Sequence, residues 1–397
     1  LERTSPPLRA HRARAEASIN MDHALTGTCL FERRLQGLST GKAPGPDSIP
    51  NELLKHAPAM LKQALHKYYI MLWYSKTNPC SISKTVLLHK KGDPTDLGNY
   101  RPIGLANTMY KLYTSIITDM LSSMAETHQL LSSCQEGARP YRNTVRQLQM
   151  VATALEDAKL HRQDLYAMWV DFASAFNTID HDKLLQIMFD LGFPTLAIDN
   201  VRALYSHACT VIQTPHGATP PVPIERGTIQ GDTLSPFLFL VFVEPLMRWL
   251  HSGGRGYQLQ CLPASQRLTH AVAGIAYVDD LKCLTHTARD LELQADKVTS
   301  FSNWAGMAAK PSKCGVSGIL HAQASTGRVG GACTKDAVKL VRTQLSRVRL
   351  QGQGLPFLHP DRDPGTSLGV PMTLSLLYSH FARALLRAVR DDLDKLD

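Results

Sequence analysis

The chain has 397 residues, of which 44% are hydrophobic and 19% are charged, and this balance excludes a largely disordered protein. A formal net charge of +9 and a pI near 9.1 favour a polyanionic partner such as nucleic acid. The eight cysteines stand singly without any C-x-x-C pair, which argues against zinc knuckles and a disulfide framework and for a reducing compartment.

The N-terminal part of the chain is expected to lead into a helical region. Residues 1–14 carry prolines and arginines but lack the apolar core of a signal peptide, so a flexible lead-in is predicted. Residues 40–55 are rich in Gly and Pro, as in a loop that enters a helix, and residues 57–74 have helical apolar spacing. No apolar run approaches the roughly 18 residues of a membrane span, so we expect no membrane partner. The chain begins with Leu and closes in a helical pattern, which predicts an excised piece of a longer protein.

A basic β-hairpin is predicted for residues 86–105, with a turn around Gly92. Lys90 and Lys91 lie at its tip, and Arg101 follows on the return strand. Such a tip is ordinarily solvated, but the same groups also suit a triphosphate, because they offer two point charges and a guanidinium fork.

Helices are predicted at residues 107–125 and 144–159, separated by a turn-rich basic segment at 133–142. The next apolar run, residues 165–170, suits a buried strand and ends at Asp171. Two further helices are predicted at 182–191 and 196–207, and a strand pair at 210–224.

Residues 226–250 are predicted to form a loop followed by a buried helix. Gly227, Gln230 and Gly231 make a loop that can approach a ligand closely. Ser235 is a candidate N-cap. The run at 237–243 is apolar on every side and ends too early for a membrane, which predicts a core helix.

A second hairpin is predicted at residues 271–284, where two apolar runs flank Asp279 and Asp280. An isolated Asp-Asp turn is usually just solvated. Asp171 at the end of another apolar strand changes the interpretation, because three carboxylates at adjacent strand ends suit two-metal phosphoryl transfer. Polymerases are the main users of that chemistry.

The remaining chain is predicted to be helical at 290–304, to turn into a strand at 306–316, and to form a surface insertion or linker at 322–334. An amphipathic helix is predicted at 374–396. Its arginines at 383, 387 and 390 form a stripe that either tracks a phosphate backbone or is an ordinary solvated face.

The order of these blocks resembles the reverse transcriptase domain of non-LTR (LINE-like) retrotransposons and of related group II introns, over about residues 35–380. Each block alone is a weak signal, but the set in this order is specific. The blocks are KAPGPD at 42–47, VLLHKKGD at 86–93 with NYRPI at 99–103, DFASAFNTIDH at 171–181, GTIQGDTLSP at 227–236, YVDD at 277–280, KPSKC at 310–314 and SLGV at 367–370.

The resemblance implies an α+β fold of the right-hand polymerase type, with a small antiparallel palm sheet backed by helices. It implies a flexible lead-in at residues 1–34, fingers at 35–160, a palm at 161–320, and a linker with a partial thumb at 321–397. The chain departs from the family pattern at several positions, none of them a metal ligand: Ala138, Asn177, Ile229, Asp232, Thr233, Tyr277 and Val278.

The resemblance also implies the roles of particular residues. Two Mg²⁺ ions, or Mn²⁺ in their place, would be held by Asp171, Asp279, Asp280 and the backbone carbonyl of Phe172. Phe176 matches an aromatic gate against a 2′-hydroxyl, and Lys313 is a candidate proton donor for which Lys310 competes. The expected nucleotide-binding residues are Lys90, Lys91, Arg101, Phe172, Phe176, Gln230 and Gly231. The expected nucleic-acid contacts are Arg139, Arg142, Tyr277, Arg383, Arg387 and Arg390.

The expected function is RNA-directed DNA synthesis, in which dNTPs extend the 3′-hydroxyl of a DNA or RNA primer on a template RNA. The resemblance implies a place within a retrotransposon polyprotein and an intracellular, nuclear location. One alternative is an RNA-dependent RNA polymerase, which the bulky Phe176 opposes. Another is a non-catalytic, polymerase-derived RNA-binding scaffold, which has no need of three acids. The sequence shows no endonuclease, no ribonuclease H acidic set and no zinc knuckle.

Overall fold

The computed structural model describes residues 7–80, 82–90, 92–267, 271–321, 328–329, 332–363, 365–367, 370–372 and 374. In these ranges the helices are α1 (Pro7–Thr26), α2 (Thr28–Gln36), α3 (Asn51–Lys55), α4 (Ala59–Ser75), α5 (Thr108–Thr127), α6 (Thr144–Leu160), α7 (His181–Leu191), α8 (Thr195–Tyr205), α9 (Leu234–His251), α10 (Ala264–Arg267), α11 (Ala288–Ala305) and α12 (Lys335–Leu345).

The strands are β1 (Ile82–His89), β2 (Tyr100–Leu105), β3 (Leu165–Val170), β4 (Phe172–Ala173), β5 (Cys209–Thr214), β6 (Gly217–Ala218), β7 (Val222–Pro223), β8 (Gly274–Tyr277), β9 (Asp280–Thr285), β10 (Ala308–Ala309), β11 (Gly315–Ile319), β12 (Arg328–Val329), β13 (Ala332–Cys333), β14 (Arg349–Leu350), β15 (Gln353–Gly354), β16 (Gly365–Ser367) and β17 (Val370–Met372). The fold is therefore α+β, as predicted.

The chain forms two compact units, each assembled from separate stretches of sequence. The first unit comprises Leu1–Leu131 and Phe176–Phe242, and the second comprises Ser132–Ala175 and Val243–Asp397. The fingers, palm and thumb boundaries expected from the resemblance follow the chain as continuous ranges, and they stay a prediction.

The sheet of the first unit is built on the predicted basic hairpin. β1 pairs antiparallel with β2, from Lys84 opposite Leu105 to His89 opposite Tyr100. β1 also pairs in parallel with β5, which gives the strand order β2-β1-β5-β6, with β7 on β5 as well. The hairpin at 86–105 and the strand pair at 210–224 are both confirmed.

The N-terminal helices differ from the flexible lead-in expected for residues 1–34. From residue 7 onward the chain is helical in α1 and α2. Ala17, Met21 and Leu25 recur every fourth residue along α1 and are all buried. This spacing puts them on one face of the helix, so burial of an apolar stripe stabilises a segment whose beginning is rich in arginine and proline.

The sheet of the second unit has the strand order β11-β3-β9-β8, and every neighbouring pair is antiparallel. All six residues of β3 are buried, because β3 has a strand on each side and other elements pack on its faces. This is a small antiparallel sheet of the kind that the resemblance implies.

Helix α6 covers one face of that sheet. Leu165, Ala167 and Trp169 alternate along β3 and pack in a buried cluster with apolar residues of α6, including Val151 and Leu155. The alternation follows from the two-residue period of a strand. The cluster fixes β3 in the sheet, and so fixes where the strand ends at Asp171.

Gln147 on α6 interrupts this apolar packing, because it is fully buried and neither its amide oxygen nor its amide nitrogen has a hydrogen-bond partner among the residues that the structure describes. A buried amide without partners costs about 1–3 kcal/mol. We therefore expect Gln147→Met to raise the free energy of unfolding by an amount of this order, measured by urea denaturation. Gln147→Glu, which introduces a buried charge, should lower it instead. A loss of stability in Gln147→Met would contradict the interpretation.

Helix α9 is long and apolar enough to cross a membrane by length and composition, but 72% of it is buried inside the protein. This burial agrees with the predicted core helix at 237–243. The predicted C-terminal helix, with Arg383, Arg387 and Arg390, lies outside the described residues, and so does most of the insertion predicted at 322–334.

Candidate active site

The β8–β9 hairpin of the second unit presents two of the three predicted carboxylates. Tyr277, the last residue of β8, pairs with Asp280, the first residue of β9. Val278 and Asp279 therefore form a two-residue turn between them. Val278 has φ 57°, which is unusual for a β-branched side chain. The predicted hairpin with acids at its turn is confirmed.

The third carboxylate lies at the end of the neighbouring strand. Val170 of β3 pairs with Leu281 of β9, so Asp171, one residue further on, continues the register opposite Asp280. The backbone carbonyl of Asp171 accepts a hydrogen bond from the Lys310 amide at 2.8 Å. The next residue, Phe172, is buried in β4 and pairs with Ala309.

The three carboxylates crowd one another. Burial raises the pKa of Asp279, and the negative charges of Asp171 and Asp280 raise it further. Two lysines offset part of this repulsion. Lys313 Nζ lies 3.2 Å from Asp171 Oδ2, and Lys282 Nζ lies 3.1 Å from Asp280 Oδ2.

The two lysines differ in their freedom to move. The Lys313 side chain is 57% exposed, whereas Lys282 is 2% exposed and extends from the buried strand β9. An exposed ion pair contributes little to stability, so Lys313 can leave Asp171 at low cost. Lys282 is confined beside Asp280, because its buried ammonium depends on the charge of this partner, whose side chain is 26% exposed.

The donor set fits a hard divalent cation. Carboxylate and backbone carbonyl oxygens are the ligands that Mg²⁺ takes in proteins, and the crowding of like charges is relieved by a cation. Within the described ranges, no three His, Cys, Asp or Glu side chains form a group that could hold a metal ion as they stand. Lys313 Nζ lies against Asp171 Oδ2, so a cation would have to compete with Lys313 for Asp171.

The basic segment before α6 also belongs to the second unit. Arg139 is buried, and its guanidinium donates to the backbone carbonyls of Ser132 and Gln135. Arg142 pairs with the buried Glu136 at 2.9 Å. Between them Tyr141 is fully exposed. The nucleic-acid role expected for the two arginines stays a prediction, and their observed partners lie within the protein.

The first unit brings together several of the residues expected to hold a nucleotide. Arg101 lies on β2 opposite Leu88, and both Lys90 and Arg101 are exposed. Further along β2, the amide of Gly104 donates to the carbonyl of Gln230 at 2.7 Å. The loop that contains Gly227, Gln230 and Gly231, here called the glycine loop, thus lies against the strand that carries Arg101. Lys91 lies outside the described residues.

The same loop contacts the predicted gate residue. The Thr228 amide donates to the Phe176 carbonyl at 3.0 Å, and the Phe176 ring packs on Phe239 with 5.0 Å between ring centroids. Gly231 has φ 112°, a conformation that favours glycine. A Cβ on Gly227 would lie 2.7 Å from the Asn177 backbone, so the loop sequence is set by close backbone approach.

Sequence reasoning missed three polar residues at these sites. For Lys282 the sequence did contain a signal. A lysine within the apolar run LKCL indicates a charge on a buried strand, and such a charge needs a partner. Gln135 has no such signal, since the Val278 turn to which its side chain bonds lies 143 residues further along the chain. Asp232 stands out only as a departure from the family pattern.

Asp232 is buried beneath the glycine loop, and its Oδ1 accepts a hydrogen bond from Thr114 Oγ1 at 2.5 Å. Burial raises its pKa from 3.8 to about 6, while hydrogen bonds from Thr114 and from the Thr233 and Leu234 amides oppose the shift. The native state therefore holds the proton more tightly than the unfolded chain between about pH 4 and pH 6.

A pH-dependent difference in stability follows. The contribution of the protonated Asp232 is fully present below about pH 4 and is lost as the pH rises through about 6, at a cost of about 3 kcal/mol. Asp232→Asn cannot titrate, so its free energy of unfolding relative to the wild type should rise by that amount between about pH 4 and pH 7. Urea denaturation across this range measures the difference. A difference that does not change with pH would contradict the buried, titrating carboxyl.

Comparison with known proteins matches this chain to polymerases. The family model described as reverse transcriptase (RNA-dependent DNA polymerase) matches residues 88–346. The chain is 24% identical over 308 residues to the Pol polyprotein of the type-2 retrotransposable element R2DM of Drosophila melanogaster, covering 76% of this chain and 28% of that protein.

Two further relatives come from the same organism. The chain is 26% identical over 215 residues to the probable RNA-directed DNA polymerase from transposon BS, covering 53% of this chain and 24% of the relative. It is 24% identical over 243 residues to the RNA-directed DNA polymerase from mobile element jockey, covering 58% and 26%. The matched stretch is thus less than a third of each of these three relatives.

Proposed function

Because this chain belongs to the reverse transcriptase family, in the branch of the non-LTR retrotransposons, we propose that it extends a primer 3′-hydroxyl with dNTPs on an RNA template. The observation that carries the proposal is the group of three carboxylates at the β8–β9 turn and the end of β3, all in one antiparallel sheet. An isolated acidic turn has no need of a third carboxylate on the neighbouring strand.

We assign Asp171 and Asp279 as the residues that hold divalent cations, Mg²⁺ or Mn²⁺, with the Phe172 carbonyl as a further ligand. When bound, such ions lower the pKa of an attacking hydroxyl and offset charge on a leaving pyrophosphate. Asp280 is the third acid of the set. The Lys282 ammonium, 3.1 Å away, offsets much of its negative charge, so Asp280 has the least negative charge available to a cation.

The other residues act on the substrates directly. Lys90, Lys91 and Arg101 hold the triphosphate by charge-assisted hydrogen bonds. Gln230 and Gly231 lie beneath the nucleotide and template base, and the Phe176 ring excludes a ribose 2′-hydroxyl. Lys313, released from Asp171, donates a proton to the leaving pyrophosphate, and Lys310 is the competing donor.

The partners in this proposal are a template RNA, a DNA or RNA primer and dNTPs. We also propose that the chain acts within a longer retrotransposon protein in the nucleus. The names of two relatives, which describe RNA-directed DNA polymerases of mobile elements, support the proposal that the chain is part of a retrotransposon protein.

The deciding experiment is primer extension on an RNA template with Mg²⁺, with dNTPs and rNTPs supplied in parallel reactions. DNA product is the expected result. RNA product would overturn the proposal in favour of an RNA-dependent RNA polymerase. No product from a chain that still binds the template tightly would overturn it in favour of an RNA-binding scaffold.

A further inference from the structure

The turn that carries Asp279 has a backbone conformation that its own sequence does not favour. Val278 occupies the first of the two turn positions between Tyr277 and Asp280 with φ 57°. Two-residue hairpin turns with a positive φ at this position ordinarily use glycine. A β-branched residue there is strained and persists only where its surroundings impose the conformation.

The Gln135 side chain supplies that constraint. Its amide nitrogen donates to the Val278 carbonyl at 3.1 Å, and its amide oxygen accepts from the Val278 N–H at 2.9 Å. Both polar backbone groups of the strained residue are thus bonded by one side chain. The same oxygen accepts from the Gly137 N–H at 3.2 Å, and Gln135 is fully buried, so the amide is held in a single orientation.

The backbone around Gln135 aligns with the edge strand β8. We call residues 134–137 the brace segment. The Ala276 amide donates to the Cys134 carbonyl at 2.8 Å, and the Glu136 amide donates to the Ala276 carbonyl at 2.9 Å. A Cβ on Gly137 would lie 2.4 Å from Val278 Cγ2 and 2.6 Å from Val278 N. The brace segment therefore touches the turn through both hydrogen bonds and close packing.

Charged contacts hold the brace segment in place from its other side. The Arg139 guanidinium donates to the Gln135 carbonyl at 3.0 Å. Glu136, which is fully buried, pairs with Arg142 at 2.9 Å and with Arg146 at 3.1 Å. Both ion pairs use Glu136 Oε1, and Glu136 Oε2 has no hydrogen-bond partner among the described residues. The contacts of Glu136 and Arg139 nevertheless fix the brace segment behind the strained turn, because buried polar contacts that are made hold their groups in place.

We propose that Gln135 is a positioning residue, which imposes the left-handed conformation of Val278 and thereby fixes where the Asp279 carboxylate stands relative to Asp171. The proposal rests on the function proposed above, in which Asp171 and Asp279 act together. Gln135 itself is fully buried, so its side chain is not exposed to a bound substrate. Its effect reaches the site through the backbone of the turn.

The test compares Gln135→Met with Gln294→Met in the whole 397-residue chain. Gln294 is a matched control, because it is a fully buried glutamine of the same unit whose amide nitrogen donates to the Leu250 carbonyl at 3.0 Å. The first readout is hydrogen exchange of the Val278 amide without substrates. Loss of one hydrogen bond should raise this rate roughly fivefold to tenfold in Gln135→Met and leave it unchanged in Gln294→Met.

The second readout is the kinetics of primer extension. A displaced carboxylate should lower kcat by roughly 10- to 100-fold with the KM for dNTP unchanged, because Gln135 does not contact the nucleotide. Val278→Gly added to Gln135→Met should restore most of the rate, since glycine adopts positive φ without strain. A loss of rate that glycine does not rescue would mean general destabilisation and would overturn the proposal.

The proposed role of Gln135 and the proposed polymerase function can be disproved separately. If the wild-type chain extends no primer, the proposed function fails, and the exchange of the Val278 amide still decides whether Gln135 holds the turn. Unchanged exchange in Gln135→Met overturns the brace whatever the polymerase activity. Gly137→Ala provides an independent check, because the added methyl should push on Val278 and raise the same exchange rate with the Gln135 amide intact.

Discussion

Asp279→Asn is expected to reduce the rate of primer extension at least about a thousandfold, which corresponds to about 4 kcal/mol of transition-state stabilisation. The substitution keeps the size and shape of the side chain but removes the anionic oxygen that a hard divalent cation prefers. Asp279 lies in the turn itself, and no lysine among the described residues forms an ion pair with it of the kind that Asp171 and Asp280 have, although the Lys313 charge lowers its pKa. Single-turnover extension with saturating dNTP measures the chemical step.

Asp336→Asn is the matched control for this variant. Asp336 is an exposed aspartate in the first turn of α12 and belongs to the same unit. Its loss should leave extension unchanged, while both variants keep the melting temperature of the wild type within a few degrees. Near wild-type extension by Asp279→Asn would remove Asp279 from the metal site and with it the proposed mechanism.

Phe176→Ala is expected to lower the preference for dNTPs over rNTPs by roughly 10- to 200-fold, the range available to a contact that distinguishes substrates by a small group. The ring is half-buried and packs on Phe239 with centroids 5.0 Å apart. It therefore cannot swing aside easily to admit a ribose. The ratio of kcat/KM for the two nucleotide types is the quantity to measure.

Phe176→Tyr separates the gate from simple packing, because it keeps the ring and should keep the discrimination. Phe176→Leu should give an intermediate ratio, since its side chain is shorter. An unchanged ratio in Phe176→Ala would show that the ring does not face the sugar. A loss of all activity with both nucleotides would show instead that the Phe176 ring supports the fold through its packing on Phe239.

The hairpin and the strand before Asp171 could be predicted because their signals are local. Apolar runs flank Asp279 and Asp280, and a buried strand leaves a continuous apolar run such as 165–170. The antiparallel register then brings Asp171 opposite Asp280. The predicted helices α5 to α8 followed from apolar spacing in the same way.

Other features depend on contacts that no local pattern contains. Gln135 bonds to a turn 143 residues further along the chain, and nothing near it in sequence indicates a buried amide. Lys282 is charged on a strand whose neighbours are buried, a conflict that only the Asp280 partner explains. Helix α1 was not predicted, because the arginines and prolines at its start indicated a flexible segment. Ala17, Met21 and Leu25 nevertheless have helical spacing.

The assembly of each unit from separate stretches of sequence has a consequence for folding during translation. Strand β3 ends at residue 170, but the strands on either side of it come from residues 280–285 and 315–319. At about 5–20 residues per second, a ribosome needs roughly 5 to 30 s to deliver those neighbours. During that interval the six residues of β3, all of which are buried in the folded protein, are exposed. The unpaired strand can then pair with a strand of another chain. The yield of folded protein should therefore depend on chaperones that shield this strand during translation more than on the final stability of the fold.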